Sequence, residues 1–140
     1  MPRSPWVWLI VLWPALLFTC RRSANIPDLL PPSVGAWHRT AFDRPSVSDA
    51  PDPVPRSAIE QFQSATYEGA GKLEARVYAL DAPAVALELT QRWRPSADTV
   101  FFNQGRYFVV VKWQDADRKA LQAFVADLQM RLGKPTQGRG

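Results

Sequence analysis

Residues 107–113 read YFVVVKW. A run this rich in β-branched and aromatic side chains, preceded by the turn residues Asn103-Gln104-Gly105-Arg106, predicts the strongest β-strand of the chain. Behind it, 115–132 carries Leu121, Phe124, Val125, Leu128 and Leu132 at helical spacing, and Gly133 stands where a helix C-terminus favours glycine. The link at 114–117 is short, so the helix is expected to fold back onto the adjacent sheet face. The bulk of Trp113 assigns the odd-numbered residues Val109, Val111 and Trp113 to that helix, with Phe124 and Leu128 as their partners.

Residues 99–102 predict the antiparallel partner of this strand. Upstream, 72–80 alternates Leu73, Ala75 and Val77 against Glu74, Arg76 and Tyr78, a second strand entered from 65–68 through Gly69-Ala70-Gly71. Asp81 is placed to cap a helix opened by Ala82-Pro83, striped by Val85, Ala86, Leu89 and Trp93 and stopped by Pro95. Ala58, Ile59 and Phe62 stand at helical spacing and predict a two-turn helix across 57–64. An offset of 34 residues pairs Gly71 with Gly105, Asp81 with Asp115 and Ala86 with Ala120. That pattern fits a duplicated ββα unit, although shared turn and cap chemistry yields the same few identities. The expected fold is α+β: an antiparallel sheet of about four strands with two helices on one face.

With the odd residues beneath the helices, Phe108, Val110, Arg76 and Tyr78 point to the far face. Phenylalanine and valine at its centre predict a cover, which is the segment around Trp37, a second copy or a ligand. Trp37, Arg76, Tyr78, Phe108 and Val110 therefore form a candidate contact surface. A second candidate is Gln91-Arg92-Trp93-Arg94-Pro95: Arg92 and Arg94 beside an aromatic can hold an anion. The simpler reading has Trp93 in the core and both arginines at a helix C-terminus, where cations are favoured.

The organisation expected of the chain is residues 1–20 as signal sequence or membrane anchor, 21–55 as a proline-rich tether and arm, 56–133 as the α+β domain and 134–140 as a flexible tail. Residues 6–19 (WVWLIVLWPALLFT) form an apolar run between Arg3 and Arg21-Arg22, the layout of an export signal. The only cysteine, Cys20, closes that run, so Leu17-Phe18-Thr19-Cys20 reads as a lipobox with Cys20 as the lipid attachment point. An uncleaved anchor is the other favoured reading, both ahead of a freely secreted form; residues 6–20 rise about 22 Å as a helix against a hydrocarbon core of roughly 30 Å. Either way the protein is expected at the cell envelope, extracytoplasmic and membrane-anchored. Residues 21–55 hold seven prolines, which excludes a long helix or central strand. Leu29, Leu30, Val34, Trp37 and Phe42 are too apolar for a solvated tether, so this part is expected to lie on the domain with Trp37 as its anchor.

The formal charge of +4 is no nucleic-acid signature, because residues 56–133 hold ten basic against nine acidic residues. Without a cysteine after residue 20, the exported part has no disulfide or thiolate site. The single histidine, His38, is too few for a metal site built on several histidines, so neither metal nor cofactor is expected. No serine stands in a Gly-x-Ser-x-Gly elbow.

The stretches LPPSVGAW (30–37), ATYEG (65–69), QRW (91–93) and GRYFVVV (105–111) resemble uncharacterised bacterial extracytoplasmic proteins grouped as a domain of unknown function. The resemblance spans Pro31 to about Leu132 and carries no active-site residues. The opening around Val34 to Trp37 is also similar to the start of exosortase-associated exopolysaccharide proteins, without their later cysteine-containing segment. The expected role is binding or assembly at the envelope with an unidentified protein or ligand. The alternative is an envelope enzyme acting on a polar glycan or lipid headgroup through Glu68, Glu74 and Arg76, which requires those side chains to converge in a cleft.

Overall fold

The computed structural model describes residues 27–134, an α+β arrangement of six antiparallel strands in one curled sheet and two helices. In chain order these are β1 (Ser33–Val34), β2 (Trp37–Asp43), β3 (Ile59–Gly69), β4 (Gly71–Leu80), α1 (Pro83–Arg92), β5 (Thr99–Gln104), β6 (Tyr107–Gln114) and α2 (Arg118–Gly133). Across the sheet the order is β1-β2-β3-β4-β6-β5. The expected four strands become six because the proline-rich segment itself supplies β1 and β2 at the sheet margin, where proline is tolerated.

The helix expected across 57–64 is instead a 3₁₀ turn at Arg56–Ala58 running into β3. The helical spacing of Ala58, Ile59 and Phe62 has another cause. A β-bulge between Ile59 and Gln61 shifts the side-chain parity by one, so Ile59 and Phe62 reach the same face despite their odd separation. Asp81 does not cap α1. Its amide donates to the Ala58 carbonyl at 2.9 Å, and the helix opens at Ala82 and Pro83 with no side-chain cap. Asp117 does cap α2, its Oδ2 accepting from the Ala120 amide at 2.9 Å.

The two helices lie on opposite faces, not on one. Leu73, Ala75, Val77, Val109 and Val111 pack with Leu121, Phe124 and Leu128 of α2. Phe62, Tyr78, Leu80 and Phe108 pack with Ala86 and Leu89 of α1. Topology explains the division. β4 and β5 are both antiparallel to β6, which lies between them, so β4-α1-β5 is a parallel crossover; the near-universal right-handedness of such crossovers leaves α1 one face. The turn after β6 is different: Asp115 takes φ 50, and α2 docks on the other side. The 34-residue offset maps odd strand residues onto odd, yet the helices that follow cover opposite faces, so the two ββα halves are not structural repeats.

On the α2 face the proline-rich segment joins the core. Trp37 is 1% exposed, donates its indole N–H to the Ala120 carbonyl at 3.0 Å and meets Phe124 edge-on at 6.3 Å. Gln63, the only buried non-aromatic polar side chain among the described residues, grips the same segment. Its amide donates to the Pro27 carbonyl at 3.1 Å and its Oε1 accepts from the Leu29 amide at 2.7 Å. Tyr67 is also fully buried, and its hydroxyl donates to the Pro31 carbonyl at 2.7 Å.

Burial pushes the Tyr67 phenol far above its ordinary value, Arg39 and Arg131 opposing only in part, and burial raises Tyr78 likewise. The folded chain thus keeps protons that the unfolded chain has released. The stability that these two phenols contribute is fully present below about pH 10 and is lost as the pH climbs through their raised folded values. Urea unfolding midpoints are expected to drop above that pH, with a shallower drop in Tyr67→Phe. An unchanged slope in this variant overturns the assignment to Tyr67.

Candidate functional site

The residues expected to form one far-face surface are separated by α1. Tyr78 and Phe108 are 1% and 0% exposed, so they present no surface. Tyr78 stacks on Phe62 at 4.5 Å, and Trp93, at the end of α1, lies 5.0 Å from Phe108. Val110 is half-buried against the same cluster. The cover over this apolar half is thus α1, while Trp37 belongs to the opposite face. Trp93 is half-buried and packs against the α1-side core, Arg92 pairs with Glu88 one helical turn away at 3.0 Å, and Arg94 is exposed. Cys20 and the 6–19 run lie outside the described residues.

Beyond the reach of α1 the same face is wet. Thr66, Glu68, Lys72, Glu74, Arg76 and Lys112 share it, and the strand register sets Glu68 opposite Lys72 and Glu74 opposite Lys112. Glu68 pairs with Lys72 at 3.8 Å, and Glu74 with Arg76 at 2.6 Å. The two carboxylates are thus held by separate cations, Glu74 by Arg76 and Glu68 by Lys72, and are not paired with each other as an acid and a base would be. Among the described residues no group of three His, Cys, Asp or Glu side chains is placed to hold a metal ion.

Sequence reasoning missed two features. Arg39 and Arg44 both lie over the Phe42 ring, at 4.6 and 5.4 Å from its centroid, and both reach Asp28. This binds 27–30 to β2 and is a structural clamp. The other feature is the margin of the sheet at β5, which no further described strand pairs with. The β1 margin is two residues long and follows Pro31-Pro32, whereas β5 presents six residues, TVFFNQ, with no charge and no proline. Natural sheet edges are normally blunted by charge, proline or brevity, and β5 has none of these.

The backbone pattern shows which β5 groups face outward. The Trp113 amide donates to the Asp98 carbonyl at 3.0 Å, one step before the Thr99–Lys112 pair. In an antiparallel ladder bonded and non-bonded pairs alternate. Val100, Phe102 and Gln104 therefore turn their amides and carbonyls toward β6, and Thr99, Phe101 and Asn103 turn theirs to the open side. The Thr99 amide is held by the Ser96 carbonyl at 3.2 Å. Beside this margin, on the α2 face, Val100 and Trp113 line an apolar cleft of ≈ 460 Å³ whose far wall is Leu121, Gln122 and Val125 of α2.

No protein family, curated protein or solved structure matches this chain.

Proposed function

We propose that this protein is a non-catalytic binding and assembly domain of the cell envelope, held at the extracytoplasmic side of a membrane by its N-terminal segment. The observation that carries the reading is the unblunted β5 edge with the apolar cleft beside it, a combination suited to strand addition. The separately paired glutamates on the wet face favour binding over hydrolytic chemistry. No described helix is long and apolar enough to cross a membrane, so the tether in this reading is the 6–19 run or a lipid on Cys20. The partner is an envelope protein or ligand; with acidic and basic residues nearly balanced over 56–133, nucleic acid is not among the candidates.

The full-length protein is expected to sediment with membranes and to stay there through a high-salt wash, because apolar insertion does not weaken with ionic strength as charge attraction does. Intact mass then distinguishes a species starting at lipid-modified Cys20 from an uncleaved form starting at Met1. Recovery in the soluble fraction overturns the tether.

A further inference from the structure

From the register and chemistry of the open margin we infer that β5 pairs with β5 of a second copy, antiparallel and centred on Phe101, to make a two-fold dimer with one continuous sheet. The inference rests on the binding and assembly reading and names its partner.

A two-fold axis normal to the sheet keeps each face of one copy on the same face of the other. Directly opposed residues must then have the same parity. The groups that turn outward belong to Thr99, Phe101 and Asn103, all odd, so a pairing of odd residues with odd residues meets both conditions together. Centring on Phe101 uses the whole strand. The two Phe101 residues exchange amide and carbonyl bonds, and each Asn103 amide donates to the Thr99 carbonyl of the second copy. The one outward amide already engaged, that of Thr99 on Ser96, is not needed for either bond.

Side chains agree with this register. On the α1 face Phe101, half-buried against Trp93 and Phe108, meets its own symmetry mate, and Thr99 meets Asn103. On the α2 face the half-buried Val100, a wall of the cleft, comes opposite Phe102 of the second copy. Apolar residues meet apolar and polar meet polar. Residues 99–104 carry no charge, so no like charges meet across the axis, whereas a charged extended segment would find no counter-ion on this strand.

The test is sedimentation of the full-length chain in mild detergent, with circular dichroism to check folding. Wild type is expected to dimerise. The variant T99K/N103K sets lysine against lysine across the axis and should weaken association at least tenfold. The variant T99K/N103E alters the same two positions but sets the introduced lysine of one copy opposite the introduced glutamate of the other, and should dimerise again. A monomeric wild type overturns the inference, as does a T99K/N103E protein that stays folded and monomeric, since the antiparallel register brings its opposite charges together. Neither position touches the leader, so loss of the dimer leaves membrane retention intact, and loss of retention leaves the dimer intact.

Discussion

Trp37→Ala is expected to destabilise the protein by about 3–5 kcal/mol, the usual range for emptying a buried aromatic site. Trp37 is 1% exposed and closes the α2 face from the β2 side, against Phe124. Its indole N–H, bound to the Ala120 carbonyl, also ties β2 to the first turn of α2 across 83 residues of chain. Collapse of neighbouring side chains into the space is restrained, because Leu30, Val34 and Tyr67 around it are themselves buried and packed. The same contacts predict that a chain beginning at Arg56 does not fold. It would lose β1 and β2, strip the Tyr67 hydroxyl of the Pro31 carbonyl and leave both ends of the Gln63 amide unpaired. A buried group left unpaired costs about 1–3 kcal/mol, and here several arise together. Urea unfolding of the variant measures the first effect and circular dichroism of the shortened chain the second. A melting curve unchanged by Trp37→Ala would falsify the anchoring role.

Gly71→Ala is expected to cost about 3 kcal/mol or more, from backbone strain and overpacking together. Gly71 follows the tip of the β3–β4 hairpin at φ 123, a region side chains rarely adopt. A Cβ there falls 2.5 Å from the Asp115 carbonyl oxygen and 2.7 Å from the Ala116 Cα, both backbone atoms that cannot rotate away. The hairpin tip is also where α2 is set: the Asp117 amide donates to the Ala70 carbonyl at 2.9 Å. The variant should therefore lose α2 packing as well as hairpin geometry. Gly105, at φ 56 with open space around its Cβ position, provides the comparison. Gly105→Ala meets strain without a clash and should cost less. Equal denaturation midpoints for the two variants would contradict the close approach of Asp115.

The α2 side of the core was legible because β4 and β6 carry it at a period of two and α2 at helical spacing. Val109, Val111, Phe124 and Leu128 are all 0% exposed, as expected, while Trp113 is only half-buried because it lies at the cleft beside β5. The α1 side was misread, though its signal is present. YFVVVKW is apolar at both parities, the mark of a strand covered on both faces, and β4 turns from Glu74 and Arg76 to Tyr78 and Leu80 at the place where α1 begins to cover it. β3 was hidden by its bulge, since a single inserted residue made a strand imitate helical spacing. Within the candidate site, Phe101 and its neighbours read as an ordinary strand, and nothing local marks that strand as the sheet's open margin.

The sequence by itself determined the kinds of element from residue 65 onward, the odd-numbered half of the core and the burial of Trp37, because each follows from periodicity or from apolar side chains that need cover. Only the tertiary structure decided that β1 and β2 enlarge the sheet, that α1 and α2 take opposite faces and that β5 ends it. Parity sorts residues into two sets without saying which helix covers which set. That choice belongs to the crossover from β4 over β6 to β5 and to the φ 50 turn at Asp115, which set the direction of the chain beyond the reach of any local pattern.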